Sequence, residues 1–184
     1  MPARWRRPIA TSYRRFALRL NEHLKEHLFV LGGRPCAADF ALAAQFQQML
    51  TDPTPAAWLS EHTPFLVAWC ENMAEPKAGG PFMELDALKP TLLPLFEGEI
   101  SRTFLPWANA NAASAGRQTK RFSVTLDGGV FEQATQNYAG RSFQKLRDRV
   151  RSAKEAEGLS AFLAEAGAGE FFAEPRAKEK TPAA

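Results

Sequence analysis

Between Leu28 and Leu42 the chain must end one helix and begin another, and that junction limits the fold more than any other stretch. Leu31-Gly32-Gly33-Arg34-Pro35 cannot continue a helix, because the glycines supply a left-handed exit and the proline forbids a further turn. Upstream, Tyr13, Phe16, Leu20, Leu24 and Leu28 recur at every third or fourth position, which predicts one helix over 10–28 with a single buried stripe. Downstream, the spacing predicts a helix from near Cys36 to about Leu50, with Leu42, Phe46 and Met49 on one face. With Cys36 as N-cap, Asp39 stands at the third helical position, where its carboxylate reaches back to the cap's own N–H. Pro35 and Phe40 then occupy the staple positions. Asp39 shares its face with Leu42 and Phe46, so its carboxylate is expected to be buried and held by backbone donors.

Asp52-Pro53-Thr54-Pro55 breaks the second helix, and two shorter helices follow over 56–61 and 64–73. The segment 75–82, Glu75-Pro76-Lys77-Ala78-Gly79-Gly80-Pro81-Phe82, has the glycine and proline density of a linker. Beyond it Leu85, Leu88, Leu92, Phe96, Ile100, Phe104 and Trp107 return to helical spacing, with Pro90, Pro94 and Pro106 expected to kink or interrupt the helix. Phe122, Val124 and Leu126 alternate with Ser123 and Thr125 up to Asp127-Gly128-Gly129, the pattern of a short β-hairpin near 122–131. Helical spacing resumes in Phe143, Leu146 and Val150 and in Leu159, Phe162 and Leu163. The predicted organisation is a basic segment 1–9, a helical core 10–74, the linker 75–82, a helical extension with the hairpin over 83–174, and a disordered tail 175–184.

A chain of 184 residues, 45% of them hydrophobic, can bury a core of its own. Its formal charge of +3 requires no polyanionic partner. Arg141, Lys145, Arg147, Arg149, Arg151 and Lys154, with Arg4, Arg6 and Arg7, invite a nucleic-acid patch, but Asp148, Glu155 and Glu157 intervene, and the expectation is a solvated face with no nucleic-acid partner. No run is long enough to span a bilayer. The two cysteines suit a reducing, cytoplasmic setting. Cys36 at a helix start invites a thiolate, though a small cap residue explains it as well, and Cys70 reads as core filling. His23-Leu24-Lys25-Glu26-His27 spells a zinc-protease motif, which would need a third ligand such as Glu97 or Glu99. The expectation is a polar helix shoulder and no metal. Tyr13, Phe16, Trp58 and Trp69 can line an apolar pocket, although their spacing is that of core residues.

The sequence Leu28-Phe29-Val30-Leu31-Gly32-Gly33-Arg34-Pro35 followed by Ala38-Asp39-Phe40-Ala41-Leu42 resembles the C-terminal helical domain of bacterial glutathione S-transferases. Asp52-Pro53-Thr54-Pro55-Ala56-Ala57-Trp58-Leu59 and Pro64-Phe65-Leu66-Val67-Ala68-Trp69 are similar to the segments that come next in that family. The likeness covers Tyr13 to about Met73. It departs at Cys36, where family members carry Ser or Thr, and a thiol is a poorer acceptor.

The resemblance implies a mainly α fold, a partial helical bundle of the transferase C-terminal type. Nothing before Tyr13 can form a βαβ unit, so the thioredoxin-like domain that binds glutathione is expected to lie outside this chain, which reads as a fragment or a short family member. Glutathione is then a co-substrate of the full-length family, a small electrophile its second substrate, and a homodimer its usual assembly. No catalytic residue carries over, no cofactor-binding residue is assigned, and Cys36 and Asp39 carry over as structural capping residues. Isolated domains of this kind also serve as non-catalytic protein-docking modules, which is the competing expectation.

Overall fold

The computed structural model describes residues 6–126, 129–153 and 155–173. Asp127 and Gly128 of the expected turn, Arg4 and Lys154 of the basic set, the side chains of Arg6 and Arg7, and the tail 175–184 lie outside the described residues. The fold is mainly helical with one antiparallel hairpin. Helices α1 (Arg6–Glu26), α2 (Ala37–Leu50), α3 (Pro53–His62) and α4 (Pro64–Asn72) precede the linker. After it come α5 (Leu85–Leu95), a π-helical segment (Phe96–Phe104), α6 (Leu105–Gly116), β1 (Arg121–Leu126), β2 (Gly129–Ala134), α7 (Asn137–Ser152), α8 (Leu159–Glu165) and a short α9 (Gly169–Phe172).

The stripe on α1 buries Ala17, Leu20 and Leu24, but the helix stops at Glu26, and Leu28 is exposed while Phe29 and Val30 turn inward instead. On α2 the buried residues are Asp39, Ala43 and Phe46; Met49, expected inward, faces out. Leu20, Leu59, Leu66, Leu88, Leu105 and Phe162 belong to one contiguous buried cluster. That cluster runs across both sides of the 75–82 segment. The segment itself is tied to the α1–α2 connector: Gly79 and Gly80 donate to Gly33 O, Gly33 donates to Pro81 O, and Met83 donates to Leu31 O. Two glycines make this closeness possible. Gly32 has φ +106, and a Cβ on Gly33 would lie 2.7 Å from Gly80 Cα.

The start of α4 shows how the helices are locked together. Pro64 occupies its first turn, and the hydroxyl of its N-cap, Thr63, is spent on Leu59 O. The exposed donors are taken from a distance by α1: buried Asn21 accepts from Phe65 N at 3.0 Å and Leu66 N at 3.2 Å. An N-cap interaction is worth about 0.5–2 kcal/mol. Asn21→Ala is therefore expected to cost about 1–2 kcal/mol of unfolding free energy in a urea titration followed by circular dichroism. A loss within a few tenths of a kcal/mol would show that these N–H groups are satisfied otherwise.

The helix over 85–116 is not interrupted by its prolines as the sequence suggests; it widens. Pro90 and Pro94 lie inside α5 without widening it, whereas Pro106, in the first turn of α6, has no N–H and its ring disfavours a regular bond to the carbonyl four residues back, that of Arg102. The chain adopts i→i+5 bonding instead, ending with Leu105 N–H on Ile100 O. At the start of the widened stretch, the Pro94 carbonyl accepts from Arg19 of α1. Widening also changes which residues face inward. Gly98, Glu99 and Ser101 are buried, whereas Phe104, placed inside by 3.6-residue spacing, is 47% exposed.

The hairpin pairs Arg121 with Ala134 through Leu126 with Gly129. Phe122 and Leu126 are its buried face, and Phe122 meets Trp107 edge-on at 6.2 Å. Trp107 Nε1 donates to Gln133 Oε1 at 3.0 Å, which fastens the hairpin to α6.

Candidate functional site

Asp39, expected as a buried cap, is fully buried and accepts two backbone hydrogen bonds. Cys36 N–H reaches Oδ2 at 2.9 Å, which is the predicted helix-start contact. Val30 N–H reaches Oδ1 at 2.8 Å, which is not local to the helix and was not foreseeable from the motif. Phe40 is 53% exposed, so the expected staple residue lies largely in solvent. Burial raises the Cys36 thiol above its ordinary range, with the Asp39 side chain adding to the effect, and Cys70 is pushed up to about 11 by burial. Both are thiols at neutral pH. Burial thus works against the helix-start thiolate that the sequence invites.

The zinc-like motif is taken apart by the same region. His23 is fully buried, not part of a polar shoulder: its Nε2 lies 3.0 Å from Val30 O and its Nδ1 2.8 Å from Thr91 Oγ1. A carbonyl can only accept, so Nε2 carries the proton and donates. Burial lowers the His23 pKa, with neighbouring His27 adding to the effect. Val30 is thus held at its N–H by Asp39 and at its C=O by His23. Glu99 sits elsewhere, and among the described residues no three His, Cys, Asp or Glu side chains group so as to hold a metal ion.

The basic helix α7 is partly spent inside the molecule. Arg147 lies over the Phe143 ring at 4.8 Å and donates to Phe171 O and Asn109 Oδ1, each at 2.8 Å. Arg151 donates to Phe172 O and Ala173 O. Both therefore satisfy carbonyls at the end of α9.

The strongest site is one that single-sequence reading did not find. A cleft of about 450 Å³ opens between α1, the π segment and the hairpin, walled by Ile9, Tyr13, Phe16, Phe104, Trp107 and Leu126. On its floor lies Glu99, whose side chain is 7% exposed. Arg15 Nε meets Oε1 at 2.5 Å, Ser12 Oγ donates to Oε2, and Thr103 Oγ1 stands 3.4 Å from Oε2. A second cavity, of about 670 Å³, shares Phe16, Glu99 and Phe104, and the other described residues that line it are apolar. The π segment therefore presents one paired carboxylate to two apolar spaces, and among the described residues Glu99 is the one charged residue lining either. Tyr13, expected as core, has its ring in the cleft wall and within 6.1 Å of Phe46. Its buried hydroxyl has no hydrogen-bond partner among the described residues, and burial raises its pKa. Trp69 is buried as core.

This arrangement can enclose and orient an apolar molecule. Among the described residues that line the cleft, no Ser or Cys stands beside a histidine base. Comparison with protein-family models, with curated proteins and with solved structures finds no match. No helix among the described residues is long and apolar enough to cross a membrane.

Proposed function

We propose that this chain is the co-substrate side of a glutathione-dependent transferase: a helical domain that binds a small apolar electrophile, with the glutathione-binding chemistry supplied from outside it. The observation that carries the binding half is the apolar cleft between α1, the π segment and the hairpin, whose volume lies within the range of about 300–1,000 Å³ typical of small-molecule sites. The transferase half is supported by the family likeness of 13–73.

The test is a titration of the purified chain with Nile red, a neutral dye that brightens in apolar surroundings, beside calorimetry with glutathione. One saturable Nile red site is expected, weakened roughly tenfold by Phe104→Asp, a half-exposed wall position where a charge would face the ligand. Glutathione is expected not to bind the chain alone. Absence of saturable dye binding would remove the binding reading, and a single glutathione site on this chain would place the chemistry here.

A second reading, a non-catalytic docking module, draws on a different surface. Leu28, Leu31, Phe82 and Met83 are all exposed around the point where the two connectors are tied together. An exposed apolar group of this kind suits a protein partner or a second copy of the chain. Concentration-dependent self-association that Leu28→Lys abolishes, with dye binding unchanged, would favour it.

A further inference from the structure

We infer that the ligand of the cleft is a flat aromatic molecule carrying one hydrogen-bond donor, an O–H or N–H, and that Glu99 accepts from it. The inference rests on the reading of the cleft as a small-molecule site and adds the chemical class of what enters.

A buried carboxylate on the floor of an apolar cleft is costly unless its lone pairs are used. An ionised carboxylate offers about four acceptor positions. Arg15 and Ser12 take one on each oxygen, and the third contact, from Thr103 at 3.4 Å, is long. Acceptor capacity remains on Glu99, the one charged group among the described residues that line the cleft. A ligand donor is the chemistry that uses it.

An anionic ligand would face Glu99 directly and be repelled. A group that donates to Glu99 avoids that cost and gains a hydrogen bond to a charged acceptor, the stronger kind. The body of the ligand follows from the walls, where Tyr13, Phe16, Phe104 and Trp107 present aromatic surface.

The test compares indole with indene, two-ring molecules of the same shape in which an N–H is replaced by a CH₂. Calorimetric or competition titrations against Nile red are run on the wild-type chain, on Glu99→Gln and on Thr103→Val. A site without a donor contact prefers indene, because the N–H must give up its water. The inference expects the opposite: indole tighter than indene by roughly fivefold or more in the wild type. That preference is expected to shrink to parity or reverse in Glu99→Gln and to persist in Thr103→Val, which leaves the carboxylate in place. Should Glu99→Gln fail to fold, the wild-type and Thr103→Val comparisons still decide. Indole and indene bound equally, or indene preferred, by the wild type would overturn the donor inference while leaving the cleft as a binding site. Binding of neither, together with absent Nile red binding, would overturn both.

Discussion

Asp39→Ala is expected to lower the unfolding free energy by about 3–5 kcal/mol, the largest single effect outside the apolar core, since hydrogen bonds to a charged group contribute roughly 1.5–3 kcal/mol each. The carboxylate has no exposure and holds two N–H groups that belong to different parts of the chain, Cys36 at the start of α2 and Val30 in the connector. Alanine would leave both donors without a partner. It would also release Val30, whose position sets where the connector meets the 75–82 segment through the hydrogen bond between Met83 N and Leu31 O. Asp39→Asn keeps the shape but turns one acceptor into a donor facing an N–H, so it is expected to lose most of the same stability. Urea denaturation with circular dichroism measures both. A loss below about 1 kcal/mol for the alanine variant would mean that water or relaxation satisfies these groups at little cost.

Much of this architecture is written in local signals. The glycines and prolines at 31–35 and 52–55 mark the two breaks they make, and the alternation over 122–126 is a strand because no helix spaces apolar residues by two. Asp39 is legible for the same reason: its contact to Cys36 spans three residues. What the chain hides are the contacts that span dozens. Ser12 and Arg15 reach Glu99 across 87 and 84 positions, and nothing near Glu99 in sequence distinguishes it from Glu97. The π segment hides it further. Periodicity at 3.6 puts Phe104 inside and says nothing of Glu99, because the spacing rule assumes the very helix that Pro106 disturbs. Pro106 was readable as a disturbance, but whether a proline kinks a helix or widens it depends on the surface packed against it, here α1 with Arg19 over Pro94 and Gly98. His23 shows the converse error. Its motif spelling and polar neighbours suggest a surface shoulder, whereas α5 covers it through Thr91.

That burial makes His23 the second position of large expected effect, and the one whose effect depends on pH. His23→Ala is expected to cost about 2–4 kcal/mol at pH 7.5, from the cavity left by a fully buried ring and from the Val30 carbonyl and Thr91 hydroxyl it would desert. The wild-type ring is held neutral: burial, then the nearby His27, depress its pKa below the ordinary 6.5. At low pH the unfolded chain therefore binds a proton that the folded chain resists, and stability rises with pH wherever that difference exists. The contribution is fully present above about 6.5 and is lost progressively as pH falls below it toward the folded-state value. Denaturant midpoints measured between pH 7.5 and 5.5 are expected to fall for the wild type and to fall less for His23→Ala. The two clamp residues also act on one residue, Val30, at its N–H and its C=O. The double variant His23→Ala with Asp39→Ala is accordingly expected to lose less than the two single losses added together, because the first change already frees the backbone that the second one held. Strict additivity would show that His23 and Asp39 stabilise the connector independently, and that the two-sided hold on Val30 is a coincidence of position.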